Sequence, residues 1–156
     1  MRSLRSYLLI GLTLSLTIAL FSCSKSKDNP GPGPGQPGNK TMKFTLTTTG
    51  LQAADDFSLT VTGSDIQATA TTLFKVNGIL QNNQKVITIS KAQLMAGQVV
   101  IETLPLYTVS ISAGGFSGTA GHSFTFKLEP VINGAAQTVV NKTITTTAYA
   151  DTFTFN

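Results

Sequence analysis

The sequence predicts an all-β fold, a single and mostly antiparallel β-sandwich of about eight short strands. Three observations carry this expectation. From residue 41 onward, apolar and polar residues alternate with a period of two in run after run, as they do in strands buried on one face. Clusters of Gly, Asn and Asp break the runs at the short spacing of sandwich turns. Thr is abundant within the runs, where its β-branched side chain suits an exposed strand face.

The alternating runs are Met42-Lys43-Phe44-Thr45-Leu46, Phe57-Ser58-Leu59-Thr60-Val61, Tyr107-Thr108-Val109-Ser110-Ile111, Phe124-Thr125-Phe126-Lys127-Leu128 and Thr152-Phe153-Thr154-Phe155. Residues 86–89, 98–103 and 138–147 read as further strands, and residues 91–95 as a single helical turn. The punctuation is Gly50, Gly63-Ser64-Asp65, Asn77-Gly78, Asn82-Asn83, Ala113-Gly114-Gly115, Gly121 and Asn133-Gly134. Both Asn-Gly pairs suit tight hairpin turns, since these two residue types tolerate positive φ. A closed barrel is the alternative architecture, and the absence of an internal repeat gives a solenoid or propeller no support.

Three segments precede or make up this domain: residues 1–22, 23–40 and 41–156. Arg2 and Arg5 supply a positive start, and residues 7–21 form a 15-residue uncharged stretch, short of the ~20 residues that span a bilayer. That is the make-up of a signal peptide. Leu20-Phe21-Ser22-Cys23 follows, with Leu three places before the Cys and a small residue just before it. This segment resembles the lipobox of bacterial lipoproteins, although Phe21 departs from the small or aliphatic residue usual there. The resemblance implies cleavage before Cys23, a diacylglyceryl group on its thiol and a further chain on the new amine. Two or three acyl chains anchor firmly at about 0.8 kcal/mol per buried CH₂. Cys23 is the single Cys of the chain, so lipidation would leave none for a disulfide.

From residue 24 to 40 the composition turns to Pro, Gly, Ser and Lys, which cannot bury apolar surface and reads as an extended or disordered tether. In polyproline form it would reach roughly 50 Å. Ser24 after the Cys resembles lipoproteins sorted to the outer membrane of Gram-negative cells. Lys25-Ser26-Lys27-Asp28 resembles, more loosely, signals for display on the outer face. The expected localisation is therefore export and lipid anchoring at the outer membrane, on its periplasmic or its surface side.

Ile101-Glu102-Thr103-Leu104-Pro105-Leu106-Tyr107-Thr108-Val109-Ser110-Ile111, running on to Gly115-Phe116, resembles a segment of prealbumin-like and immunoglobulin-like extracellular modules. Leu106 stands where those families place a Gly before the Tyr. The resemblance implies an immunoglobulin-like or prealbumin-like sandwich and no particular activity.

Charge narrows the partners. The whole chain carries 11 Lys and Arg against 7 Asp and Glu. Beyond residue 40, however, six Lys face six acids and no Arg remains, so the domain is neutral and offers nothing for nucleic acid. The expected partners are the membrane, through acyl chains on Cys23, and a glycan or protein ligand at the envelope.

Few side chains of the sequence suit chemistry, and no cofactor is expected. His122 is the only His, placed after a Gly-rich turn at the start of residues 122–128, and reads as an exposed loop residue. Zinc lacks ligands. Asp55, Asp56 and Asp65 read as solvated loop acids, set at opposite ends of residues 57–61 and without calcium-loop spacing. A glycosidase pair would need Glu102, Glu129 or Asp151 to converge, which their spacing does not indicate. The expectation is no catalytic and no metal residues, with a ligand-contact patch at Phe116, His122 and Tyr149. Three function classes follow: a non-catalytic binding, adhesion or structural module, a pilin-like subunit offering residues 138–156 to a neighbour, and a carbohydrate-active or other envelope enzyme.

Overall fold

A computed structural model describes residues 38–156. The expected signal peptide, Cys23 and most of the tether lie outside the described residues. The chain order is β1 (Met42–Thr49), β2 (Asp56–Ser64), β3 (Phe74–Val76), β4 (Ile79–Leu80), β5 (Val86–Ile89), α1 (Lys91–Met95), β6 (Val99–Thr103), β7 (Thr108–Phe116), β8 (Phe124–Ile132), β9 (Ala135–Ala136), β10 (Val140–Ile144) and β11 (Tyr149–Phe155). Each run that alternates in sequence falls in a strand, except that Tyr107 stands one residue before β7. The segments the sequence leaves unassigned, β3, β4 and β9, have only two or three residues each, too few to show a period.

The strands form two sheets. One has seven strands, in the order β10-β8-β1-β6-β3-β4 with β9 paired to β8, and the other has four, β11-β7-β2-β5. All pairings between these strands are antiparallel. The sheets keep free edges, so the architecture is an all-β sandwich and not a closed barrel. The pairings nest: β1 lies beside β8, β2 beside β7 and β3 beside β6. No helix among the described residues is long and apolar enough to cross a membrane.

Alternation decides what each sheet buries. From the large sheet Phe44, Leu46, Ile101, Phe126 and Leu128 point inward, and from the small sheet Phe57, Leu59, Val61, Val109 and Ile111 meet them. Phe57 packs against Phe124 and Phe126 with ring centroids 5.4 and 5.3 Å apart, and Phe44 against Phe155 at 4.9 Å. A fully buried side chain of this size contributes about 1.5–3 kcal/mol, which is how a domain without disulfides holds together.

Both Asn-Gly pairs are the expected hairpin turns: Asn77 and Asn133 have φ of 49°, and Gly78 and Gly134 have φ of 80°. Each Asn also ties its turn to another strand or to the chain entry, Asn77 Oδ1 accepting from Val100 N at 2.8 Å and Asn133 Oδ1 from Thr41 N at 3.1 Å. The turn of helix α1 sits where its sequence predicts, closed by a reciprocal cap between Ser90 and Gln93.

Two pieces of expected punctuation are strand instead. Gly63-Ser64 ends β2, and Ala113-Gly114-Gly115 lies inside β7. Gly115 is required by close approach, because a Cβ there would overlap the main-chain oxygen of Asp56 on the paired strand. Likewise, β8 begins at Phe124, two residues after His122. Asn39 and Lys40, placed in the tether by composition, are already docked, Lys40 pairing with Leu106.

The face assignment has a direct test. Phe57→Ala should lower the free energy of unfolding by about 3–5 kcal/mol. Thr88→Ala, on the same sheet but pointing outward, should change it by no more than about 0.5 kcal/mol. Urea denaturation midpoints check both, and equal losses would contradict the assignment.

Candidate functional site

Antiparallel strands bring residues 50–55, 91–98, 117–123 and 145–148 to one end of the sandwich. Asp55 precedes β2 by one residue and is only 1% exposed, so the expected solvated loop acid is a buried carboxylate. Its Oδ2 accepts from Gln52 N at 2.7 Å and from His122 Nε2 at 3.2 Å. Its Oδ1 accepts from Gly118 N at 3.1 Å and Ser117 Oγ at 3.2 Å. Lys91 Nζ closes the group from the helix side, donating to the main-chain oxygens of Asp55 at 2.6 Å and Ala53 at 2.7 Å. Gly118 must be Gly, since a Cβ there would overlap the Ala54 carbonyl.

Burial alone would raise the Asp55 pKa. Donation from Gln52 and Gly118, the Ser117 hydroxyl and the His122 ring outweigh it, and the carboxyl is held below its ordinary value. A carboxylate only accepts, so Nε2 is the donor in this bond.

Ser, His and Asp are all present, but in the wrong order for catalysis. A nucleophile needs the base against it and the acid behind the base. Here the carboxylate stands in the middle, one oxygen to Ser117 and one to His122, and Ser117 is itself buried. What the group does is bind the loop before β2 and the loop after β7 into one unit.

The three expected contact residues are not brought into one patch. Phe116 ends β7, is 41% exposed and lies on the outward side of the small sheet. His122 turns its ring to Asp55, leaving its side chain 19% exposed. Tyr149 opens β11 on the core-facing side, opposite in face to Phe116, with its hydroxyl 3.5 Å from Asp151 Oδ2.

The other acids are dispersed. Glu129 pairs with Lys127 at 2.8 Å and Asp151 with Lys142 at 3.7 Å, while Glu102 stands between Lys43 and Lys75 in register. Glu102 and Glu129 lie on strands flanking β1, and Asp151 belongs to the other sheet. Among the described residues no three His, Cys, Asp or Glu side chains group as metal ligands.

A second feature has no signature in any one segment. The outward face of the small sheet carries hydroxyls in rows across the strands. One row is Thr88, Thr60, Ser112 and Thr152, and the next holds Thr62, Ser110 and Thr154. Ser112 and Thr152 hydroxyls are 2.9 Å apart, and those of Ser110 and Thr154 3.2 Å. Beside them Ser58, Gly114 and Ala150 leave a shallow trough of about 560 Å³, with Phe116 one row further along. Period-two reading exposes these residues strand by strand, but only the register aligns them.

No family profile matches the chain, and no curated protein does. Solved structures do share its fold. A domain of unknown function, DUF4425, from Bacteroides vulgatus superposes with a TM-score of 0.59 at 11% identity, covering 75% of this chain and 94% of that one. A DUF4425 family protein from Bacteroides ovatus gives 0.57 at 9% identity, with the same coverage. The calcium-bound form of a protein from Parabacteroides distasonis gives 0.56 at 15% identity, covering 81% and 99%. At such identities the likeness is one of fold.

Two outcomes test the loop end and the β11 edge. Asp55→Ala should cost about 2–4 kcal/mol in denaturant unfolding, since buried donors lose their acceptor. The folded carboxyl lies below the unfolded value of about 3.9, so its stabilisation is complete above that pH and lost as the pH falls through the folded value. The variant's stability should therefore fall less steeply than the wild type's below about pH 4. Separately, Tyr149 is pushed up to about 12 by burial, by the Asp151 charge and by the hydrogen bond between them. Asp151→Asn should bring its ultraviolet-monitored ionisation toward the ordinary ~10, and an unmoved transition would leave burial as the whole cause.

Proposed function

We propose that the chain is a lipoprotein anchored through Cys23 at the outer membrane of a Gram-negative cell, presenting its sandwich as a non-catalytic binding module for a neutral, hydroxyl-rich glycan. The observation that carries the ligand class is the outward face of the small sheet, with its rows of Ser and Thr, no charged side chain among those rows, and Phe116 at the rim opposite the single acid Asp56. Hydroxyls both donate and accept, as a sugar requires, and an exposed ring offers one apolar platform. The non-catalytic reading rests on the Asp55 group, in which the sole His and the buried Ser117 hydroxyl each bond the carboxylate and not each other, and on the separation of Glu102, Glu129 and Asp151.

The pilin-like alternative is less well supported. Residues 138–156 are divided between the sheets, β10 pairing with β8 and β11 with β7, and both strands are used within the chain. Lys142 and Asp151 also point between the sheets from these two edges, and inward charge discourages strand addition. As to the finer sandwich type, an immunoglobulin-like domain keeps its first two strands in one sheet. Here strands β1 and β2, like β6, β7 and β8, alternate between sheets, which favours a nested, rolled hairpin.

One fold neighbour is a calcium-bound form, which raises the acids of this chain as calcium ligands. They do not fit. Calcium needs six to eight oxygens, several of them charged. Asp55 already receives four donors, and Asp65, although its Oδ1 is buried without a hydrogen-bond partner, has no second carboxylate and shares its loop with the Lys85 ammonium on Ala68 O.

Fatty-acid labelling of wild type and Cys23→Ala in cells tests the anchor, with label expected only on the wild type. A glycan array probed with the fragment from Gly38 tests the module. Binding should concentrate on neutral oligosaccharides and weaken at least tenfold in Phe116→Ala and Ser112→Val, the scale of one lost stacking or hydrogen-bonding contact. An array without neutral ligands would sink the glycan reading and leave the anchor standing.

A further inference from the structure

The two ends of the sandwich differ in how they relate to the incoming chain. Lys40 forms a two-way backbone bridge with Leu106, N to O at 2.6 Å one way and 2.8 Å the other, and Asn39 Oδ1 accepts from Ile66 N at 2.9 Å. The chain therefore enters at the end built from residues 65–72, 81–85 and 104–107, opposite to Asp55. Two aliphatic side chains stand in solvent there, Ile66 at 51% exposure and Leu104 at 36%. They belong to the same neighbourhood as the entry point, since Ile66 N bonds Asn39 and Leu104 is two residues from the Lys40 partner.

The charges at this end are of the complementary kind. Lys40 is at the entry, and Lys85 reaches across to Ala68 O. The one acid in the three loops, Asp65, spends Oδ2 on Thr69 and Ala70 within its own loop. The face is thus aliphatic, flanked by ammonium groups, and its carboxylate is turned inward. That is the composition of a surface meeting an anionic bilayer interface.

We propose that this end is a membrane-contact face, with Ile66 and Leu104 seated in the interfacial layer of the bilayer that holds the Cys23 acyl chains and Lys40 and Lys85 against its headgroups. The proposal rests on the lipid-anchor reading. Fourteen residues, 24–37, separate Cys23 from the first described residue. At no more than ~3.6 Å per residue they keep this end within about 50 Å of the anchor. A nine-residue strand such as β2 adds roughly 30 Å to the distance of the opposite end. Two aliphatic side chains hold a free domain at a surface only feebly, but a tether makes the contact intramolecular and raises the local concentration of lipid. Seating this end would also turn the Asp55 loops away from the bilayer and stand the hydroxyl-lined sheet upright above it.

The full lipidated chain in phosphatidylethanolamine–phosphatidylglycerol vesicles containing a bromolipid provides the test. With Cys23 acylated, Ile66→Cys or Met95→Cys supplies the only free thiol for an environment-sensitive dye, Met95 being 47% exposed at the far end. Bromolipid quenching should be at least about threefold stronger at position 66 than at 95, as shallow insertion of only one end requires. Leu104→Asp in the Ile66→Cys background should bring it down toward the far-end value. Equal quenching at both ends, or no response to Leu104→Asp, in an acylated chain would overturn the contact face alone. Dye uptake by the wild-type chain would instead reveal a free Cys23, bringing down the anchor reading and this face with it.

Discussion

The register of β2 against β7 is the constraint on which the rest depends. Nine residue pairs, from Asp56 with Phe116 to Ser64 with Thr108, run the length of the small sheet. Because side chains alternate, a slip of one residue would turn Phe57, Leu59 and Val61 out to solvent and the Ser and Thr rows into the core. The same register sets Asp55, one residue before β2, beside Ser117, one residue after β7. The buried carboxylate group is the continuation of the ladder beyond its last pair, with side-chain donors replacing strand hydrogen bonds. Gly115 lets the two backbones come close enough at that end.

A carboxylate out of water is costly by several kcal/mol unless its lone pairs are satisfied. Asp55 meets four donors, two from backbone and two from side chains. The balance favours the charged form, which is why its pKa lies below the ordinary value despite burial. With both oxygens committed and the His122 ring held on one of them, the loop end has a fixed shape. A group of this kind confers specificity of loop placement, and its partners stabilise one another.

The two outward faces carry different chemistry from the same alternating rule. On the large sheet Lys43, Lys75, Glu102, Lys127 and Glu129 intersperse signs, as a solvated face does. On the small sheet the rows are hydroxyls, with the trough over Gly114 and Ala150 beside them. Where the two sheets end side by side, Lys142 of β10 and Asp151 of β11 pair across the opening. That pair is exposed and contributes little to stability, but it places charge at two edges that would otherwise invite another strand.

Period-two alternation was enough to read, from residues alone, the all-β class, the principal strands and which of their side chains are buried, because alternation is a local consequence of the pleat. The Asn-Gly turns and the capped turn at residues 91–95 were legible for the same reason: their chemistry is complete within a few neighbouring residues. Strands β3, β4 and β9 were not, being shorter than any period, and Ala113-Gly114-Gly115 misled because Gly marks a turn and a close backbone approach alike. The Asp55 group was invisible, since Ser117 and His122 lie 62 and 67 residues away and Asp-Asp before a strand has the look of a solvated turn. Sequence by itself determined which residues face inward. Only the tertiary structure decided which outward residues meet one another, because strand order and register join distant segments, and nothing within a single segment encodes its neighbours.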